Sequence, residues 1–209
     1  MLMKPMLFAE RAEPFDDGRY LYEPLIDGHR LLLTVEGGRT RLLSRHGYDV
    51  TRQYPELHRV PLRKPVDAVL DGEVAYVNPA TGRAEFDTLQ RRYRMTRFSQ
   101  ILDGKKEFPV TYFVFDMLRY NNIDLRDKPL AFRKMLLRRI LDDNAHFKVL
   151  GYAEREGRKM CRLAERAGLE GIACKRKDSR YEEGPGDGWL KIPLPSPGLH
   201  EVRPVVQAD

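Results

Sequence analysis

The stretch that decides the fold is YLYEPLIDGHRLLLTVEGGRTRLLSR, residues 20–45. Its apolar residues fall in short β-like runs, at 31–33 and 42–43, on either side of Gly37 and Gly38. Two glycines between apolar runs are a turn signal, because glycine adopts the backbone angles that tight turns require. The stretch therefore predicts a β-hairpin.

Outward from this hairpin, further strands are predicted at 68–77 (AVLDGEVAYV) and 110–118 (VTYFVFDML), which are rich in branched and aromatic residues. Helical periodicity appears at 86–92, 129–141 and 155–167, the last ended by Gly168. The basic faces of these amphipathic helices are predicted to be solvated. Strands and helices do not alternate strictly, and no Gly-rich turn opens a helix, which disfavours a doubly wound fold. The pattern predicts an α+β domain with mainly antiparallel sheets flanked by helices.

The composition is that of a folded, basic protein. The 209 residues are 42% hydrophobic and 33% charged, with a formal net charge of +6, which suits a polyanionic partner such as a nucleic acid or a nucleotide. Two cysteines are too few for a disulfide framework or a zinc site. No window approaches the roughly 20 apolar residues of a membrane span. We expect a cytoplasmic monomer with no membrane partner.

The domain is expected to cover residues 1–191. After Trp189 the composition shifts to prolines and few helix formers, so residues 192–209 (IPLPSPGLHEVRPVVQAD) are predicted to be a linker or C-terminal tail. This segment is too short to form an additional OB-fold domain.

The candidate chemistry begins in the same stretch as the hairpin. Residues 23–30, EPLIDGHR, place a carboxylate, a glycine and an arginine within four positions. On its own, this arrangement is also typical of an ordinary tight turn. Four more motifs follow in order, namely Asp71-Gly72-Glu73, Phe113-Val114-Phe115-Asp116, Leu169-Glu170-Gly171-Ile172 and Trp189-Leu190-Lys191.

This ordered series resembles the motifs of the covalent nucleotidyltransferases, the polynucleotide ligases and capping guanylyltransferases, whose first motif is Lys-x-Asp-Gly-x-Arg. Residues 44–47 (SRHG) fall at the next family position, and the segments 4–7 (KPML), 22–24 (YEP) and 86–90 (FDTLQ) are similar to parts of small bacterial and phage DNA ligases. The resemblance spans residues 3–191. It implies the adenylation domain of an ATP-dependent DNA ligase, with the ligase/capping-enzyme nucleotidyltransferase (ATP-grasp-like) fold.

The resemblance also implies roles for individual residues. Phe115 would stack on adenine, and Glu23 would read the adenine amine. Glu73 would reach the ribose hydroxyl and, with Glu170, hold Mg²⁺, since hard carboxylate oxygens suit that ion. The remaining nucleotide-binding positions are Ile26, Arg30, Arg45, Lys175 and Lys191, with Arg30 and Arg45 at the ribose and phosphates and both lysines at the α-phosphate.

The chain departs from the family at two places. Leu25 stands at the position of the lysine nucleophile, beside the motif carboxylate Asp27, and a hydrocarbon side chain cannot form a phosphoramidate. Pro193 stands where many members carry a second lysine after Lys191. The family's cofactors, ATP as AMP donor and Mg²⁺, are expected to remain its ligands. Self-adenylation is expected to fail, whether Leu25 is an engineered substitution or a natural loss.

The resemblance thus implies an ATP-dependent DNA ligase catalytic domain that acts on nicked double-stranded DNA in repair, replication or recombination. An RNA ligase of the same superfamily and a non-catalytic nucleotide-binding or DNA-binding relative remain as alternatives. An NAD-dependent ligase is disfavoured, because no room precedes the first motif for a nicotinamide-recognising module.

Overall fold

Eleven strands, four α-helices and two single-turn 3₁₀-helices form the described part of the chain, which in this computed structural model comprises residues 4–10 and 13–194. The strands are β1 (Met6–Glu10), β2 (Tyr20–Pro24), β3 (His29–Glu36), β4 (Arg39–Ser44), β5 (Ala68–Ala75), β6 (Thr111–Tyr120), β7 (Ile123–Asp124), β8 (Phe147–Val149), β9 (Ala153–Glu154), β10 (Gly171–Arg176) and β11 (Gly184–Pro193). The helices are α1 (Phe86–Tyr93), α2 (Phe98–Glu107), α3 (Leu130–Ile140) and α4 (Gly157–Arg166).

The strands form two sheets. The first sheet has the order β1-β11-β10-β2-β9, and the second has the order β4-β3-β5-β6-β7 with β8 added to β6. All pairings are antiparallel except β1 with β11 and β6 with β8. The predicted α+β class with mainly antiparallel sheets is therefore confirmed.

The leucine run of β3 shows why the sheets stack. Successive side chains of a strand point to opposite faces. Leu31 and Leu33 accordingly lie in the core on the outer face of the second sheet, whereas Leu32 belongs to a separate core with Phe115 and Trp189. All three leucines are buried, so this strand is covered on both faces.

The predicted hairpin is β3 and β4, joined at Gly37 and Gly38, whose φ angles are +54° and +75°. The predicted helix stop at Gly168 is also present. Gly168 has a φ of +70°, its N–H bonds the Glu165 carbonyl, and the Leu169 N–H bonds the Ala164 carbonyl at 2.9 Å. These paired hydrogen bonds close the helix and place the following motif at the start of β10.

The prediction that the basic helix faces are solvated was wrong for three side chains. Arg92 of α1 and Arg133 and Lys134 of α3 are buried in ion pairs. Helical periodicity identifies apolar stripes, but it does not show when a carboxylate from another element meets a cation inside the core.

Two segments differ from the sequence expectations in other ways. Helix α2 was not anticipated, and β11 continues to Pro193 with Ile192 fully buried, two residues into the predicted tail. Residues 195–209 of that tail lie outside the described residues. Within the described ranges, no helix is both long and apolar enough to cross a membrane.

Candidate functional site

The predicted motifs meet at a pocket between the two sheets, which we call the interlayer pocket. Its volume is about 30 Å³. The lining residues are Phe8, Glu23, Pro24, Leu25, Ile26, Arg30, Glu73, Phe115, Leu150, Ala173 and Lys175. Seven of the eleven site residues singled out from the sequence thus share one cavity, although they span 153 positions of the chain from Glu23 to Lys175.

Strand register brings these motifs together. Ala173 of β10 is opposite Glu23 of β2 on one side and Lys191 of β11 on the other. In the second sheet, Arg30 of β3 is opposite Glu73 of β5. Because side chains on one face repeat every second residue, this register turns Glu23, Arg30 and Glu73 toward the interlayer pocket, whereas Glu170 and Lys191 do not line it.

The motif glycines allow this close packing. A Cβ atom on Gly28 would lie 2.2 Å from the Val74 carbonyl oxygen, and one on Gly171 would lie 2.4 Å from the Ile192 carbonyl oxygen. Neither distance is sterically possible, so both positions require glycine for the approach of a neighbouring strand. Their presence in the sequence motifs is explained by packing.

Leu25 lies where the interlayer pocket opens into a second cavity. Its N–H donates to the Gly171 carbonyl at 3.1 Å, which fixes the backbone at this position. The second cavity, the outer cleft, has a volume of about 510 Å³ and is also lined by Ile26, Asp27 and Glu170. Residue 25 therefore lines both cavities.

Glu23 is buried between two lysines. Lys175 Nζ donates to Glu23 Oε2 at 2.8 Å, and Lys134 Nζ pairs with Oε1. Burial raises the carboxyl pKa, but the two ammonium groups outweigh it, so the pKa of Glu23 lies below its ordinary value. Glu23 is thus a fixed carboxylate acceptor at the end of the pocket.

Lys175 lies on the aromatic wall of the pocket. Its Nζ is 3.8 Å from the Phe115 ring centroid and 4.1 Å from that of Trp189. Burial lowers the pKa of this ammonium to about 8, partly offset by Glu23. The structure therefore places Lys175 with Phe115 and Glu23, the two residues expected to bind the base, whereas the sequence suggested the phosphate region.

Arg30 is held by a buried acid. Its guanidinium makes two hydrogen bonds to Asp71, of 2.5 and 2.7 Å, and lies 4.4 Å from the Phe115 ring centroid. Tyr181 Oη donates to the same Asp71 carboxylate at 2.6 Å and accepts from the Met6 N–H at 3.1 Å. The bidentate pair fixes the plane of Arg30 above the pocket.

Arg45 lies in a third cavity, of about 390 Å³, which shares Arg30 and Glu73 with the interlayer pocket. Its side chain is exposed, and its Nε donates to His46 Nε2 at 2.9 Å. Phe86 and Gln90 of the FDTLQ segment line the same cavity, and Gln90 Nε2 is 3.0 Å from His29 Nε2. These residues extend the candidate site beyond the interlayer pocket.

The acidic residues of the site repel one another. Burial, with smaller contributions from Asp71 and Asp27, raises the pKa of Glu73 to about 7 against the opposing effects of Arg30 and Lys175. Burial and then Glu170 raise the pKa of Asp27, while Lys191 lowers it. A cation bound here would relieve this repulsion. Among the described residues, however, no group of three or more His, Cys, Asp or Glu side chains is arranged to hold a metal ion.

Sequence reasoning missed Lys134, Asp71 and Tyr181 as members of the site. Asp71 belongs to the same sequence motif as Glu73, so its place in the site could have been inferred from that motif. Lys134 and Tyr181 had no comparable signal, because their partners Glu23 and Asp71 are distant in sequence.

Substitution of Glu73 by glutamine should change the pH dependence of stability. With a folded pKa near 7, above the ordinary 4.5, the folded chain keeps a proton that the unfolded chain loses. The stability of the unsubstituted protein should therefore fall as pH rises from about 4.5 to 7, and Glu73→Gln should lack this decrease and be the more stable form at pH 8.

Thermal melts of both proteins from pH 4.5 to 8 measure this difference, which isolates Glu73 from other titrating groups. Glu165→Gln, at an exposed position of α4, controls for the substitution itself. Parallel melting curves for Glu73→Gln and the unsubstituted chain would contradict the prediction.

Comparisons with known proteins agree on one family. A family model described as ATP dependent DNA ligase domain matches residues 1–192. The SPbeta prophage-derived DNA ligase-like protein LigB of Bacillus subtilis is 32% identical over 193 residues, covering 92% of this chain and 67% of that protein. The multifunctional non-homologous end joining protein LigD of Pseudomonas aeruginosa is 30% identical over 187 residues, covering 88% of this chain and 21% of that protein.

Among solved structures, the mycobacterial DNA ligase D complexed with ATP and MES matches with a TM-score of 0.76 and 26% identity, over 91% of this chain and 60% of that one. The ligase domain of LigD from M. tuberculosis matches with a TM-score of 0.72 and 27% identity, over 90% and 58%. This chain therefore spans less than two thirds of both solved chains and about a fifth of the Pseudomonas protein.

Proposed function

The chain belongs to the ATP-dependent DNA ligase domain family, and from this membership we propose that it binds ATP with the base in the interlayer pocket, which displacement of Lys175 would enlarge, but does not form an enzyme–AMP bond. The observation that carries the proposal is that seven of the candidate site residues, Leu25 among them, line one pocket. In the family, formation of the enzyme–AMP bond precedes AMP transfer to DNA and nick sealing.

The pocket has complementary groups for adenine. Phe115 offers an aromatic face for stacking, and Glu23 offers a carboxylate acceptor for the exocyclic amine. Stacking there requires the ammonium of Lys175 to move off Phe115. In its new position, the ammonium could donate a hydrogen bond to a ring nitrogen of the base. An acceptor beside a donor matches the amine and the adjacent nitrogen of adenine.

The missing step follows from the chemistry of residue 25. In a lysine-bearing relative, the neutral amine attacks the α-phosphorus, a P–N bond forms, the P–O bond to pyrophosphate breaks, and the amine releases a proton. Leu25 has no lone pair to donate. ATP should therefore bind here without pyrophosphate release.

Magnesium would bind next to the phosphates. Glu73 and Glu170 would contribute carboxylate oxygens, and the phosphate oxygens and water would supply the remaining ligands that Mg²⁺ prefers. The raised pKa values of Glu73 and Asp27, which are caused mainly by burial, support this assignment, because a divalent cation would stabilise the charged carboxylates. When bound, the ion would neutralise charge on the phosphates.

Nicked double-stranded DNA is the partner we propose, and the names of the relatives favour DNA over RNA. The net charge of +6 supports a polyanionic partner. Several further properties remain expectations from the sequence. They are a role in repair, replication or recombination, a monomeric state, a cytoplasmic location and a domain limit near residue 191. Leu25 also supports a second candidate, a non-catalytic member of the family that recognises nucleotide or DNA.

Phe115→Leu should weaken ATP binding by a factor of about 5 to 160, since stacking of a base on an aromatic ring contributes about 1–3 kcal/mol. Titration calorimetry with ATP and Mg²⁺ measures the affinity. Phe98→Leu is a matched control, because Phe98 is an exposed phenylalanine of α2 outside the pocket.

Binding by the unsubstituted chain that weakens only in Phe115→Leu supports the proposal. Absence of ATP binding to the unsubstituted chain, or equal binding by both variants, would overturn it. Thermal melts of all three proteins establish that each is folded.

A further inference from the structure

Lys134 lies behind the interlayer pocket on α3, and its side chain is 3% exposed. Its Nζ pairs with Glu23 Oε1, donates to the Phe115 carbonyl oxygen at 2.8 Å, and lies 5.4 Å from the Tyr152 ring centroid. None of the family motifs quoted from the sequence contains this lysine. It nevertheless contacts both residues expected to bind the base.

These two contacts connect the two sheets. Glu23 is on β2 of the first sheet, and Phe115 is on β6 of the second. The carboxylate that would accept a hydrogen bond from the base and the ring on which the base would stack therefore come from different sheets. Lys134 forms an ion pair with Glu23 and a hydrogen bond to the Phe115 carbonyl, so it fixes the distance between them.

Stability alone does not account for a buried ammonium here. Burial of an ion pair is expensive, and an apolar residue of similar volume would often be as favourable. Lys175 also neutralises Glu23, but Lys175 occupies the face of Phe115 on which a base would stack. Once a base displaces Lys175, Lys134 is the lysine that remains against the Glu23 carboxylate.

We propose that Lys134 is a positioning residue that holds Glu23 ionised and in register with Phe115, so that the pocket selects a purine with an exocyclic amine facing Glu23. The inference rests on the proposed function, since it assumes that the nucleotide base enters this pocket. Lys134 itself is not expected to touch the base. Its effect on specificity is exerted through Glu23.

The test compares ATP with purine riboside triphosphate, which lacks the exocyclic amine. A hydrogen bond to a charged acceptor contributes enough to give the unsubstituted protein about a tenfold to hundredfold preference for ATP. Lys134→Gln should reduce this preference to within about threefold, whereas Lys134→Arg, which keeps the cation, should retain most of it. The readout is a ratio of two affinities, so partial unfolding affects both nucleotides equally.

Arg92→Gln is the control for loss of a buried cation elsewhere. Arg92 pairs with Glu56 outside the pocket, and both side chains are fully buried. This variant should melt at a lower temperature and keep the full preference for ATP. A preference lost in Arg92→Gln as well would overturn the specific role of Lys134.

An unchanged preference in Lys134→Gln, with ATP still bound by the unsubstituted chain, would overturn this inference and leave the proposed function standing. Loss of the preference in Lys134→Arg as complete as in Lys134→Gln would also overturn it, because charge would then not be the cause. Absence of ATP binding to the unsubstituted chain would overturn the proposed function and this inference with it.

Discussion

Leu25→Lys is expected to convert a chain that forms no covalent adenylate into one that does. The backbone at residue 25 is fixed by the hydrogen bond to Gly171, so a lysine stem would start from the same place at the junction of the two cavities. Arg30 and Lys175 line the same pocket and would favour the neutral, nucleophilic amine by charge repulsion. Loss of a covalent nucleophile costs up to about 10⁶-fold in rate, so the leucine chain should remain at background.

The measurement uses ATP labelled at the α-phosphate with Mg²⁺, followed by denaturation and detection of label on the chain. Leu25→Met is the matched control, because it lengthens the side chain without an amine. Label on the leucine or methionine chain would mean that the nucleophile lies elsewhere. Label on none of the three would indicate a second defect, for which the position of Pro193 after Lys191 is the first candidate.

Arg133→Met is expected to destabilise the folded chain by about 3–5 kcal/mol, which corresponds to a fall in Tm of roughly 6–20 °C. Arg133 makes two 2.8 Å hydrogen bonds to Asp116 and also bonds the carbonyls of Lys128 and Ser179. Both charged side chains are fully buried. Removal of the cation leaves a buried carboxylate without its partner directly after Phe115, so the aromatic wall of the pocket should also loosen.

Denaturant unfolding measures the loss of stability. Arg63→Met removes the cation of an exposed pair with Asp142, in which both side chains are more than half exposed, and should cost no more than about 1 kcal/mol. The double variant Arg133→Met/Asp116→Leu should recover part of the loss, because it removes both charges. A cost below about 1 kcal/mol for Arg133→Met alone would contradict the assigned role of the pair.

The local elements could be predicted because their signals lie within a few residues. The β3–β4 hairpin follows from apolar runs around Gly37 and Gly38, and the end of α4 follows from the left-handed conformation available to Gly168. The ligase family could also be predicted, because its motifs keep their order along the chain, and the matching family model confirms it.

Other elements could not be predicted because distant segments stabilise them. Strand β11 begins with GPGDG, which has poor strand propensity, yet it pairs with β10 on one side and β1 on the other. Tertiary pairing outweighs local propensity here. The same pairing carries the chain through Ile192, where proline-rich composition had suggested a tail.

The sequence by itself determined which residue types stand at the candidate site, including the absence of an amine at residue 25. The tertiary structure decided what those residues face. It placed Lys175 on Phe115, joined Arg30 to Asp71, and buried Lys134 between the two sheets. The physical reason is that charges are buried where a partner compensates for lost hydration, and these partners, up to 152 positions apart, meet only when the sheets stack.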